Sequence, residues 1–231
     1  MNILQVKKIS APAQCHYLPD KKWQFEYFFA TDLDKHELNT LLESGWRKFG
    51  YYYFKPSCEN CIKCLPLRVK ASEFIPTKSQ RRIIKKNREI KVKFTPLTYS
   101  EKIFEIYQNH SINRFGKVDN NKNDFISSFY TQSCPTLQSM YYLNNELAGV
   151  GFIDITHNAL SSIYYIFDTA YSNLNLGTYS IIREINQAAD IDLDYYYLGY
   201  YIEECPSMAY KGHFAPYETY DWDRKEWHST T

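Results

Sequence analysis

Between Leu137 and Ile202 the chain runs strand, strand, strand, glycine-bearing loop, helix, strand, and this order constrains the fold more than any other feature of the sequence. Leu137–Leu143 and Glu146–Ile155 carry the apolar and aromatic content of strands, and Asn144-Asn145 between them suits a two-residue hairpin turn, because asparagine tolerates positive φ. His157-Asn158 supplies a second turn, and Ala159–Phe167 is the third strand. After Ser172–Asn175, Leu176-Gly177-Thr178 opens a helix whose apolar side is Ile181, Ile182, Ile185 and Ala189. Tyr195–Ile202 closes the series as a strand in which Gly199 marks a bulge.

Upstream the elements are shorter. Leu33–Leu42 reads as a helix through Leu38, Leu41 and Leu42, stopped at Gly45, and Tyr51–Phe54 as a strand ended by Pro56. Arg81–Glu89 is expected to be helical, with Arg81, Lys85 and Arg88 on one face, followed by a half-buried strand over Ile90–Phe94. Ser100 can cap a helix to about His110 with Ile103, Ile106 and Tyr107 inward. A polar loop at Asp119–Asn123 then leads to a helix at Asp124–Thr131. The expected division is 1–95, holding a cysteine knuckle and a basic run, and 96–231, holding the strand-rich module.

That module matches the acyltransferase fold of the GNAT class, in which the loop before the main helix presents backbone N–H donors to an acyl donor. The fold class is therefore mixed α/β (α+β), a GNAT-like acyltransferase module with an N-terminal cysteine-containing subdomain. Tyrosines are abundant, 22 in 231 residues, so rings must build much of the core and buried hydroxyls must find partners. Tyr195, Tyr197 and Tyr201 share one strand parity, opposite Tyr196 and Tyr200. One set should enter the core, leaving the other to stack on a base or line an aminoacyl pocket.

Two clusters in the first half carry chemistry. Cys58, Cys61 and Cys64, with Cys15, could supply four thiolates to zinc or an iron–sulfur cluster; reduced structural thiols are the plainer reading. Lys78–Lys93 holds eight Lys or Arg against one acid, in a chain whose net charge is only +1. Such segregation suits contact with a phosphate backbone, with a solvated basic face as the alternative. No run approaches the roughly 18 apolar residues a membrane helix needs, and no apolar segment follows Lys7 and Lys8. Six cysteines without a secretion signal fit a reducing compartment, so a cytoplasmic protein without membrane association is expected.

The sequence resembles the arginyl/leucyl-tRNA–protein transferase family. The residues that carry the resemblance are Cys15-His16-Tyr17-Leu18, Gly45-Trp46-Arg47, the three clustered cysteines and Ser79-Gln80-Arg81-Arg82 with Asn87. To these the second half adds Ser162–Asp168, Leu176-Gly177, Tyr197–Ile202, and Met208-x-Tyr210-Lys211 with Phe214 and Pro216. Length and cysteine spacing are similar to the bacterial aspartate/glutamate leucyltransferase branch. The resemblance implies transfer of an amino acid, leucine first and arginine second, from aminoacyl-tRNA to proteins beginning with Asp or Glu. The product would be marked for N-degron proteolysis.

Such a reaction needs no cofactor and no covalent enzyme intermediate, because the aminoacyl ester is already activated. The α-amine, of pKa about 7.7–8.0, is partly neutral near pH 7. The enzyme must mainly orient amine and ester and stabilise the oxyanion. Asp168 is the candidate for orienting or deprotonating the amine, with a turn or capping role as the alternative. Arg47, Arg68, Arg183 and Lys211 are the candidates for reading the acidic side chain, and Tyr200 and Tyr201 for the aminoacyl end. Arg81, Arg82, Lys85, Lys86 and Arg88 are the candidates for tRNA contact. An acyl-CoA N-acetyltransferase and a non-catalytic tRNA-binding module stay open at this level.

Overall fold

A computed structural model describes residues 1–116 and 121–230. Along the chain the elements are β1 (Asn2–Ile9), β2 (Ala13–Gln14), β3 (Lys22–Trp23), β4 (Phe25–Thr31), α1 (Lys35–Glu43), β5 (Arg47–Phe49), β6 (Tyr52–Pro56), β7 (Leu65–Lys70), α2 (Lys78–Lys86), β8 (Lys91–Pro96), α3 (Glu101–Phe115) and α4 (Lys122–Phe129). There follow β9 (Thr136–Leu143), β10 (Glu146–Ile155), β11 (Ala159–Phe167), α5 (Leu176–Asp190), β12 (Tyr195–Tyr201), α6 (Pro206–Ala209), β13 (Tyr217–Asp221) and β14 (Glu226–Thr230).

An eight-stranded sheet, ordered β14-β13-β7-β12-β11-β10-β9-β8, forms the body of the molecule. A four-stranded sheet ordered β1-β4-β6-β5 packs beside it. The expected hairpin is present: Asn144 and Asn145 sit at φ 51° and 66°, as a turn matched to strand twist requires. α5 lies on one face, where Ile181, Ile182, Ile185 and Ala188 pack with Tyr196, Leu160 and Ile153. α3 and α4 cover another part of the sheet through Ile103, Ile106, Phe125 and Phe129 against Val150, Phe152 and Ile166. The small sheet and α1 bury Phe28, Leu38, Trp46 and Tyr53 against Tyr197 and Ala159. β7 pairs with both β12 and β13, so the large sheet is continuous across residue 95.

α2 begins at Lys78, earlier than expected, because Thr77 and Gln80 form a capping box, and it stops at Lys86 with Asn87 as its cap. Arg88 therefore lies beyond the helix. Part of the expected polar loop, 117–120, falls outside the described residues.

The tyrosine parity is broken. Tyr196 and Tyr201 pack on the α5 side, whereas Tyr197 packs against the small-sheet core, and Tyr200 donates to Gly45 O on β6's side of the molecule. Gly199 causes this: its φ is 89° and the pairing with β7 shifts register there, so the extra residue turns the following side chains over.

Candidate functional site

β11 and β12 run parallel but are paired only over Ala159–Ser161 and Tyr195–Tyr197, after which they separate. The gap between them is where a GNAT-like fold exposes backbone to an acyl group. Both edges are held by cations. Arg47, from the small sheet, reaches the β11 edge: its Nη1 donates to Ser161 Oγ at 2.7 Å and its Nη2 to Ser162 O. Lys211, from the turn after α6, donates to Tyr200 O on the β12 edge.

Gly199 lies between them. A Cβ there would stand 3.5 Å from Lys211 Nζ and 3.9 Å from Arg47 Nη2, so the bulge brings bare backbone against both cations. Tyr200 fastens the arrangement by donating to Gly45 O at 2.9 Å, two residues before Arg47.

Among the described residues neither cation has a carboxylate partner. The acid felt by Arg47, Asp154, is itself buried and paired with Lys48 at 3.1 Å while accepting from Thr136 at 2.9 Å. Burial, and then the Arg47 charge, bring Lys211 down to about 7. Burial also pulls the pKa of Arg47 down, though a guanidinium stays charged. Two cations held near one another without a counter-ion make an anion-accepting site.

The other expected residues divide clearly. Arg68 is committed elsewhere: its Nε and Nη2 both lie 2.7 Å from Glu218 Oε2, its Nη1 donates to Tyr197 at 3.1 Å, and it is stacked between Tyr195 and Trp227. Asp168 accepts from Ala170 N at 3.0 Å, capping a 3₁₀ turn. It lies at the far end of β11, about 20 Å of strand from Ser162 at the usual rise per residue. Arg183 is half-buried on α5 beside Tyr179, away from both edges' cations. Tyr201 packs against Tyr217 and Gly212.

The cysteines gather at one side of the gap. Burial, then Cys58, Cys15 and Cys61, push the Cys64 thiol up to about 12, and the Lys211 charge opposes the rise. Cys58 is held by Gln24, whose N–H donates to its sulfur at 3.4 Å. Among the described residues no group of three or more His, Cys, Asp or Glu side chains is placed to hold a metal ion.

α2 spans from the Lys211 turn to the start of α5. At one end Gln80 Nε2 donates to His213 O at 3.0 Å; at the other Asn87 Nδ2 donates to Leu174 O at 2.9 Å and Lys86 to Asn173 O at 2.6 Å. Arg81, Arg82, Lys85, Lys86 and Arg88 are exposed along it. The sequence did not single out Lys48, Asp154 or Glu184, the three buried charged groups beneath this region. Their signal was weak: a charge at an inward position of a strand or helix.

Comparison with known proteins agrees with this geometry. The sequence patterns of the N and C termini of arginine-tRNA-protein transferases match residues 13–82 and 100–221. An aspartate/glutamate leucyltransferase of Campylobacter jejuni is 34% identical over 94% of this chain and 93% of its own. One from Marinobacter nauticus is 31% identical over 90% of this chain and 89% of its own. Among solved structures, a C-terminal domain assigned to a lysylphosphatidylglycerol synthetase of Agrobacterium fabrum superposes with a TM-score of 0.50 at 8% identity. The match covers 88% of this chain and 65% of that one, a likeness of fold.

Proposed function

The chain belongs to the aminoacyl-tRNA–protein transferase family, and from that premise we propose that it transfers leucine from leucyl-tRNA to the α-amine of proteins beginning with Asp or Glu. The observation that carries this reading is the pair of cations without a counter-ion, Arg47 and Lys211, at the edges of the β11–β12 gap. The acceptor's acidic side chain is the anion they lack. The Arg47 guanidinium can bind it with two parallel hydrogen bonds, which a lysine cannot.

Leucine as donor follows the relatives' names and fits the acids nearby. An arginyl side chain would need a free carboxylate, yet Glu204 is paired with Lys63, Asp168 caps its turn and Asp154 is held by Lys48. The exposed cations of α2 would carry the acceptor arm of the tRNA past the mouth of the gap, binding phosphates without reading sequence. No step passes through the cysteines. The product carries an N-terminal leucine, a destabilising residue for N-degron proteolysis, and the reaction belongs in the cytoplasm with its aminoacyl-tRNA donor.

The test is transfer of labelled amino acid to an Asp-starting and an Ala-starting peptide, run with leucyl-tRNA and with arginyl-tRNA. Label from leucyl-tRNA on the Asp-starting peptide alone is expected. Arg47→Ala should raise KM for the Asp-starting peptide by about tenfold to a hundredfold, the worth of a charged hydrogen-bonded pair. Transfer from arginyl-tRNA alone would replace the donor. Equal transfer to both peptides would overturn the role of the cations.

A further inference from the structure

We propose that Lys211 is the proton acceptor for the acceptor protein's α-ammonium, and that the acidic side chain of the same residue makes it so. The inference rests on the reading of this site as the place of transfer to Asp or Glu.

The geometry comes first. The Lys211 side chain is 8% exposed, and its ammonium position lies beside Gly199 within the gap, not in solvent. Its contacts are the Tyr200 carbonyl and the Met208 thioether at 3.7 Å, neither of which can balance a positive charge. The titratable and charged groups that face it are Arg47 from β5, Cys64 from the segment before β7, and Cys205 from the segment before α6. Of these Arg47 is cationic and opposes protonation, while the two thiols are neutral as long as they hold their protons. With the gap empty, burial and Arg47 both favour the neutral amine, which carries a lone pair.

An arriving Asp or Glu residue changes this balance in one step. It brings a carboxylate, which pairs with Arg47 and offsets the charge that held Lys211 neutral. It also brings an α-ammonium that must lose a proton before it can attack. The proton passes from the α-nitrogen to Lys211 Nζ, leaving a neutral amine and a lysinium beside the newly bound carboxylate. The amine nitrogen then forms a bond to the ester carbon. Collapse breaks the bond to the ribose oxygen, and the second amine proton goes to that oxygen. One amide and one ribose hydroxyl result, and the proton on Lys211 returns to water. An acceptor without the carboxylate would leave Lys211 a poor proton acceptor, so selectivity for acidic residues would appear in kcat as well as in KM.

The experiment measures leucyl transfer to Asp-starting and Ala-starting peptides between pH 5.5 and 9 for wild type, Lys211→Arg and Lys211→Ala. Lys211→Arg keeps the charge and the bulk but cannot give up its proton. The expected result is a fall in kcat of about 10²-fold in both variants, the usual worth of a positioned base. The remaining activity should rise with pH toward the α-amine's own titration, and small primary amines should partly restore Lys211→Ala. Circular dichroism and the KM for leucyl-tRNA show whether each variant is folded. Wild-type kcat and pH profile in folded Lys211→Arg would overturn the proposal and leave Lys211 as a fixed charge. Absence of transfer to the Asp-starting peptide by the wild-type protein itself would instead sink the reading on which the proposal stands.

Discussion

Glu184 is the most consequential single residue outside the gap. Its carboxylate is buried on α5, accepting from Ser139 Oγ at 2.7 Å and from Tyr196, and no cation pairs with it among the described residues. Burial pushes it up to about 7, with the hydrogen bonds from Tyr196, Ser139 and Tyr141 working against the rise. The unfolded chain returns it to an ordinary carboxyl value near 4.5. Between those values the folded protein holds a proton that the unfolded chain releases, so stability falls as pH rises across that window. It is fully present below 4.5 and is lost by the time pH passes 7. The loss is about 3 kcal/mol at 1.36 kcal/mol per unit. Glu184→Gln, which cannot titrate, should flatten this part of the profile. Denaturant unfolding at a series of pH values checks it: wild type should gain on Glu184→Gln as pH drops from 7.5 to 4.5, and an unchanged difference would refute the buried-acid account. The sequence carried a faint sign of this residue, an acid set among Ile181, Ile182 and Ile185 on the inward face of a helix.

At the scale of elements, α2 makes the sharpest prediction. Its exposed Arg82 and Lys85 have no ion pair among the described residues, so their charge is available to phosphate. Arg82→Ala and Lys85→Ala together should lower the slope of log affinity for tRNA against log salt by about 1.4 to 1.8, one released counter-ion per lost contact. KM for the acceptor peptide should not move. Filter binding over a range of salt measures the slope, and an unchanged slope would take α2 out of the tRNA contact. Which elements were legible follows from physics as well. β9, β10, β11 and α5 are bounded by asparagine turns and carry long apolar runs, and their limits follow the sequence closely. β1, β4 and β5 had no such frame: β1 pairs with β4 through two register shifts, and its face is largely exposed. Parity on β12 failed at one glycine, because a bulge is a property of the pairing and leaves no period in the sequence. The site was legible only in part for the same reason. Arg47 and Lys211 could be named as charges, but Arg68 could not be set apart from them until Glu218, 150 residues away, was seen beside it.

For the whole molecule the decisive feature is where β7 lies. It comes from the first 95 residues, yet its neighbours in the large sheet are β12 and β13, both from the last 40 residues of the chain. Leu67 and Val69 of β7 are fully buried and share a core with Ile182, Ile185 and Tyr196. A fragment comprising 96–231 would leave the β12 edge bare on the side facing β7, strip the α5 core of those two side chains, and detach β13 and β14 from the sheet. It would also lose Arg47, so one edge of the gap would have no cation. An unpaired apolar edge of this kind promotes association rather than folding. The fragment is therefore expected to lack a cooperative thermal transition and to expose its amides to hydrogen exchange. Addition of 1–95 should restore both a sharp transition and leucyl transfer, since the two pieces together complete the sheet. A sharp transition in 96–231 by itself would mean that the strand-rich module folds without β7, and that the first segment is an attachment to it rather than part of its core.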